Sequence, residues 1–187
     1  MDSQRNRKLP KQLISEADSH GEGKEYREGG SVTGMKTSAE LSIGRLTLET
    51  AGGRLRRLWL PCEAPMAPPP ETGSLEEEIF CQLRAYLSGK LFRFDLPLEP
   101  VPGTPLQQRI SRAIAALPYG KTAAYSQLGP ARTVGHVCAL NPLPLIIPCH
   151  RVVPRHGAPE APGAYRGGTE LKRLLLRLEA RYSPTFS

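Results

Sequence analysis

The sequence predicts an α/β protein in two domains: a small sheet-and-helix unit over residues 37–102, then a mainly helical unit over 103–187 holding a helix-turn-helix-like pair. Three observations predict it. Two apolar-rich runs, residues 41–48 and 55–60, flank Gly52-Gly53 and read as a β-hairpin. Two helices open on capping boxes, Ser74 with Glu77 and Thr104 with Gln107. Between them residues 91–102 are extended and punctuated by proline, the composition of a linker.

In chain order, residues 1–36 mix charged residues, Ser and Gly with scarcely any large apolar side chain, so they cannot offset the entropy of ordering and are expected to be a disordered tail. The hairpin follows, with Trp59 expected in its core and Arg54, Arg56 and Arg57 on a solvated face. Residues 62–73, with Pro65 and Pro68-Pro69-Pro70, are loop. Leu75, Ile79, Phe80, Leu83 and Leu87 repeat at helical spacing until Gly89 stops the helix. In the next helix, Pro105 stands at the first position and Leu106, Ile110, Ala113, Ile114 and Leu117 form the buried stripe, ended by Pro118-Tyr119-Gly120. Short helices are expected at 124–128 and 130–140, closed by Asn141-Pro142, and the apolar run 143–147 reads as a strand leading to Cys149. The last helix shows Leu171, Leu174, Leu175 and Leu178 at i, i+3, i+4 and i+7 after a Thr169 cap.

Charge is unevenly divided. Residues 104–187 carry 11 Lys and Arg against only Glu160, Glu170 and Glu179, whereas residues 1–103 carry 14 basic and 15 acidic side chains. A basic half beside a neutral one suits a nucleic-acid-facing module, though a merely solubilising surface has the same look. The polar start has no apolar core segment of a secretory signal, and no apolar run approaches the roughly 20 residues of a spanning helix. Four widely spaced cysteines without a CxxC pair argue against a disulfide scaffold and a ribbon-type zinc site, and point to a reducing compartment. Cys62 and Cys81 read as loop and core thiols and Cys138 as a small buried hydrophobe. His136, Cys138, Cys149 and His150 have no standard metal-ligand spacing, so no metal is expected.

The residues that carry chemistry begin at Pro148-Cys149-His150-Arg151. A thiol needs help to ionise: an imidazole in reach, directly or through one water, can take its proton, and a carboxylate on the far ring nitrogen fixes the tautomer. His150 supplies the ring. Glu179 lies about 80° round the last helix from Leu171, at the edge of the apolar stripe, and can reach inward. Cys149, His150 and Glu179 thus form a candidate triad, although such a pair is more often structural when it stands alone.

The blocks Asn141-Pro142, Pro148-Cys149-His150-Arg151, and Tyr165 followed by Gly167-Gly168, in this order, resemble the O6-alkylguanine-DNA alkyltransferases, or methylated-DNA–protein-cysteine methyltransferases. Weaker similarity reaches from about residue 40 to 180. The resemblance implies a ribonuclease H-like N-terminal domain and a winged-helix-like pair in the C-terminal one. It implies that Cys149 attacks the alkyl carbon on guanine O6, that His150 relays the thiol proton through water with Glu179 orienting it, and that Tyr125 assists the leaving base at N3. Asn141 matches a hinge asparagine. Backbone groups near Cys149, Val152 and Arg166, with Tyr165, are expected to hold the base. Arg132 matches an intercalating arginine that fills the space of a flipped nucleotide. Gly135 and Ala139 flank it on the outer face, and Arg151 is expected to face DNA as well. Only six residues separate Tyr125 from Arg132, so the first helix of the pair is truncated. Position 139 is alanine where relatives commonly carry a basic residue, and the loop 156–163 is longer and richer in proline than usual.

The expected reaction is a stoichiometric, self-inactivating alkyl transfer needing no organic cofactor, performed by a monomer on double-stranded DNA containing O6-alkylguanine, away from membranes. The expected location is cytoplasmic, at the nucleoid of a prokaryote or the nucleus of a eukaryote. Two other readings stand beside it: a non-catalytic lesion-binding protein of the alkyltransferase-like kind, against which Cys149 argues, and a regulator that uses the helix-turn-helix alone.

Overall fold

The computed structural model describes residues 34–155 and 161–183; the expected tail up to residue 33, and residues 156–160 of the long loop, lie outside the described residues. Three antiparallel strands, β1 (Met35–Leu41), β2 (Gly44–Ala51) and β3 (Arg54–Trp59), form a sheet in the order β1-β2-β3. The hairpin turns on Gly52 and Gly53, both at positive φ (56° and 70°), where a side chain would be strained. β1 begins at Met35, inside the expected tail and two residues before the expected domain start. Its polar sequence is ordered by pairing with β2, from Met35 opposite Thr50 to Leu41 opposite Gly44.

Leu46, Leu48, Leu55 and Leu58 point to the core, each at most 1% exposed and each contributing roughly 2 kcal/mol by burial. The other face carries Trp59, which is not in the core: Lys36 Nζ and the Arg57 guanidinium each lie 5.4 Å from its ring. The proline-rich stretch after β3 runs back along β1, with Ser38 N–H donating to Pro68 O at 2.9 Å and the Thr47 hydroxyl to Pro65 O at 2.7 Å. The expected linker lines the opposite edge. Leu55 N–H donates to Pro97 O (2.8 Å), Glu99 N–H to Leu55 O (2.9 Å), and Leu58 N–H to Pro142 O (2.8 Å).

Helix α1 (Leu75–Leu87) covers the sheet with Ile79, Phe80, Leu83 and Tyr86. The Ser74 hydroxyl accepts from Glu77 N–H at 3.2 Å, and the Glu77 carboxylate returns to Gly73 N–H, one residue earlier than a capping box requires. Cys81, expected in the core, faces outward. Helix α2 (Pro105–Ala115) has both halves of its capping box and buries Ile110 and Ile114. A two-residue strand β4 (Ala123–Ala124), the single-turn α3 (Tyr125–Leu128) and α4 (Ala131–Leu140) follow; β4 pairs in parallel with β5 (Val152–Val153), and α5 (Thr169–Tyr182) closes the fold.

Two elements differ from expectation. Residues 143–147 are not a strand: they coil through turns, with Leu145 at φ 72°, and bury Leu143 and Leu145, so the apolar run reflects burial alone. In α5 the buried face is Lys172, Leu175, Leu176 and Glu179, while Leu174 is 46% exposed and Thr169 is a helical residue after a Gly168 cap. One apolar cluster runs from Leu46 of β2 to Leu175 of α5, so both halves share a core.

The end of α1 packs on the end of α5: a Cβ at Gly89, whose φ is 70°, would meet the Tyr182 ring. Gly89→Ala therefore lowers the melting temperature, by on the order of 5 °C for about 1–2 kcal/mol of left-handed strain plus the clash. Adding Tyr182→Ala removes the clash but not the strain, so thermal denaturation of the double variant shows partial recovery.

Candidate active site

The residues expected to carry chemistry converge where the 143–147 turns deliver the chain to a three-residue 3-10 turn, Cys149–Arg151. Cys149 therefore sits on a tight turn before β5 rather than at a strand end. Asn141 fixes this approach with one side chain: its Nδ2 donates to Ile147 O at 2.8 Å and to Cys149 Sγ at 3.1 Å, and its Oδ1 accepts from Leu143 N–H at 3.0 Å. An Asx-type side chain can close such a turn because it carries donor and acceptor together.

Behind the thiol lies a buried polar cluster. His150 is fully buried, and its Nε2 is 2.8 Å from Glu179 Oε1. Glu179, 1% exposed, is central to the α5 buried face rather than at its edge. It also accepts from Gly120 N–H at 3.0 Å, Tyr86 O–H at 2.6 Å, and Arg151 through Nε (2.9 Å to Oε2) and Nη2 (2.8 Å to Oε1). Arg151 Nη1 donates to Leu117 O. Arg151 is thus only 5% exposed and committed to the interior, which corrects its expected place on the DNA surface: its fork is satisfied by a backbone carbonyl and a carboxylate, with the Tyr119 ring 5.7 Å away, and it is a structural cation.

An ionised carboxylate only accepts hydrogen bonds, so His150 Nε2 carries the proton and Nδ1 keeps its lone pair. Nδ1 is buried and has no protein partner among the described residues. Burial lowers the His150 pKa below 6.5, as do the Arg151 and Lys172 cations, against the opposing pull of Glu179, so the ring is neutral near pH 7. Burial on its own would raise the Glu179 pKa, but the hydrogen bonds from His150 and Arg151 win and hold it well below the usual carboxylate range. Burial also pushes the Cys149 thiol up, against the Asn141 hydrogen bond and the Lys172 charge, so the resting group is a protonated thiol beside a neutral base.

Cys149 opens on a pocket of about 440 Å³ lined by Tyr125, Gly135, Cys138, Ala139, Ala164, Tyr165 and Arg166. Burial raises the pKa of the Tyr125 phenol, keeping it protonated. The Tyr165 hydroxyl is buried without a protein partner among the described residues. The Arg166 side chain donates to Glu63 (Nε to Oε2 2.7 Å) and, through Nη1, to Asn141 O (3.5 Å). The Val152 side chain is buried, and Val152 O accepts from Lys172 Nζ at 2.7 Å. Arg132 is on the exposed face of α4, and Val134 and Val137 face the core. A larger hollow, about 720 Å³, backs onto Asn141 and Pro142 but holds none of the thiol, imidazole or carboxylate.

Two residues of the site escape the sequence reading. Tyr86 falls three residues after Leu83 on the buried stripe of α1, and a buried phenol needs a partner, which was the available signal. Lys172, 0% exposed, interrupts the leucine pattern of α5 and ties Val152 O (2.7 Å) to Ala164 O (3.3 Å), the latter residue lining the pocket.

Residues 105–181 match the DNA-binding domain of 6-O-methylguanine DNA methyltransferase. A methylated-DNA–protein-cysteine methyltransferase of Mycolicibacterium paratuberculosis is 40% identical over 110 residues, 55% of this chain and 64% of that protein. One of Mycobacterium tuberculosis is 37% identical over 155 residues, 76% of this chain and 90% of its own length. The crystal structure of Mycobacterium tuberculosis OGT in complex with DNA superposes with a TM-score of 0.69 at 34% identity, covering 81% of this chain and 96% of that one. Fold, thiol site and relatives define a DNA-repair transferase whose acceptor is a cysteine of its own. The chain belongs to the methylated-DNA–protein-cysteine methyltransferase family.

Glu179→Gln leaves the Arg151 cation buried without its counter-charge, and is expected to cost about 3–5 kcal/mol, read as a fall in melting temperature on the order of 10 °C. The wild type loses stability on acidification in two stages. His150 and Glu179 both have folded pKa values below their unfolded ones, 6.5 and 4.5, so each contributes stability that is fully present above the unfolded value and is lost as pH falls through the folded one. Melting temperature measured from pH 8 to 3 therefore begins to fall below about pH 6.5, and falls further below about 4.5.

Proposed function

We propose that Cys149 removes the alkyl group from O6-alkylguanine everted from double-stranded DNA, once per molecule. The observation that carries this reading is the thiol at the floor of a pocket of base-binding size, with a neutral imidazole behind it and a phenol on its wall. His150 Nδ1 takes the thiol proton through one water, and Glu179 stabilises the imidazolium. Sγ then attacks the alkyl carbon in line with the C–O6 bond. The S–C bond forms, the C–O6 bond breaks, and its electron pair passes into the guanine ring, which takes up the Tyr125 proton at N3. The His150 imidazolium then releases its proton to solvent, Tyr125 regains one from solvent, and the ring proton moves from N3 to N1 by exchange with water. The product is a thioether and unmodified guanine, and since a thioether has no easy hydrolytic exit the protein is spent. The thiol itself is the acceptor, so the transfer needs no organic cofactor.

A base within the duplex is out of reach, and extruding it costs a few kcal/mol. Arg132 on the exposed face of α4 fills the vacated space, and Gly135 and Ala139, small residues between Arg132 and the pocket, allow the groove to approach. Tyr165 packs against the base, and backbone groups of Cys149, Val152 and Arg166 read its edges. We read residues 37–102 as ribonuclease H-like and 103–187 as a winged-helix-like unit, acting as a monomer where the DNA is, in the cytoplasm at the nucleoid or in a nucleus. No helix among the described residues is long and apolar enough to cross a membrane.

Incubation with duplex DNA bearing O6-methylguanine should add one methylene to the Cys149 peptide, seen by mass spectrometry, at a ceiling of one per chain. Cys149→Ser should bind the duplex and carry no adduct; duplex binding without any wild-type adduct would instead indicate a lesion-binding protein. Arg132→Ala should slow transfer from duplex by at least tenfold, while leaving transfer from free O6-benzylguanine within about twofold, since only the former must refill the stack.

A further inference from the structure

We propose that Tyr86, contributed by α1 of the N-terminal half, is a positioning residue for the alkyl transfer, setting both the direction and the basicity of His150 through Glu179. The proposal rests on the reading of Cys149, His150 and Glu179 given above. The Tyr86 side chain is 1% exposed, and its hydroxyl lies 2.6 Å from Glu179 Oε1 and 3.2 Å from His150 Nε2. The carboxylate cannot donate, so the phenol proton must go to Glu179, and Oε1 receives the Tyr86 O–H and the His150 N–H together. Arg151 Nη2 donates to the same oxygen at 2.8 Å, so Oε1 stays paired without the phenol, whereas a phenol turned away from Glu179 would leave its own buried hydroxyl without this partner.

The ring is not free to swing. Phe94 lies 5.2 Å away and Tyr119 meets it edge-on at 5.7 Å, while Leu83 and Ile79, one and two turns earlier on the same face, anchor α1 to the sheet. A rigid phenol therefore fixes Oε1, Oε1 fixes Nε2–H, and the imidazole plane turns Nδ1 away from Glu179, leaving it as the nitrogen free to serve the thiol. The same contact disperses part of the carboxylate charge. Around His150 stand Glu179 and Lys172 from α5, Arg151 and Cys149 on its own turn, Tyr165 with its ring 6.3 Å away, and Tyr86; of these Glu179 alone favours the imidazolium strongly, so a donor shared with Glu179 weakens that pull and keeps the base neutral.

The test is single-turnover transfer from a methylated duplex, followed across pH, in the full-length wild type, Tyr86→Phe, and a protein carrying 3-fluorotyrosine at position 86. Phenylalanine keeps the ring and deletes the donor. It is expected to slow transfer about tenfold at pH 8, the effect of one charge-assisted hydrogen bond, and to move the acid inflection of the rate profile upward, because Glu179 then holds the imidazolium more tightly. The fluorinated ring keeps the fold and donates more strongly, and moves the inflection downward. Duplex affinity stays unchanged. An unaltered rate and inflection in Tyr86→Phe, or a slower rate with the inflection fixed in both variants, overturns the positioning role, the second result being that of a purely structural side chain. Peptide mapping of the wild type separates this failure from that of the underlying reading: an adduct absent from Cys149 overturns both, whereas an adduct on Cys149 with indifferent Tyr86 variants overturns Tyr86 alone.

Discussion

A single carboxylate organises this molecule. Glu179 is inside the protein, where an ion without partners would cost several kcal/mol, and it is stabilised by five donor groups from three separate stretches of chain: the Tyr86 hydroxyl of α1, the Gly120 amide of the turn after α2, and His150 and two Arg151 nitrogens of the 3-10 turn, all meeting a fourth, α5. Each donor fixes one piece of backbone relative to the others. The nucleophile directly precedes two of these donor residues, one position before His150 and two before Arg151, so its location is a by-product of satisfying the charge. The same constraint explains why Arg151 lies inside. A buried negative charge shared with a neutral histidine needs a permanent cation, and arginine can supply two parallel N–H groups to it and a third to a carbonyl.

The electrostatic consequence is a site at rest. Thiol and imidazole are both uncharged, which suits an apolar surrounding, and in the proposed reaction charge separates only when a substrate carbon is available to consume the thiolate. Asn141 contributes by holding Sγ with a donor that a thiolate accepts better than a thiol does. The clamp also ties the nucleophile to the end of α4, the helix bearing Arg132.

Legibility in the sequence followed the range of the interactions. The Ser74 and Thr104 helix starts, the Gly52-Gly53 hairpin and the closure of α4 at Asn141 are decided within a few residues, and all were readable. Strand β1 was not, because Lys36, Ser38 and Glu40 carry no apolar alternation and are ordered only by β2. The run 143–147 misled because apolarity reports burial and not conformation, and nothing local announces a leucine at positive φ. On α5, leucine spacing placed the stripe one position away from its true centre; Lys172 and Glu179 are buried by partners far along the chain, which periodicity cannot show. Cys149, His150 and Asn141 were found through their motif, but Tyr86 belongs to no motif, and Arg151 looked like a surface cation because arginine usually is one.

The covering of the sheet has a bearing beyond this site. Both outer strands of a three-stranded sheet normally offer unpaired amides to any extended chain that drifts by, the usual seed of intermolecular strand addition. Here the carbonyl of Pro68 takes the Ser38 amide on one flank, and those of Pro97 and Pro142 take the Leu55 and Leu58 amides on the other. The covering segments are themselves rich in residues that have no amide hydrogen to pass on, so the ladder ends with them. A second copy of the chain therefore meets capped amides at these positions instead of an open edge.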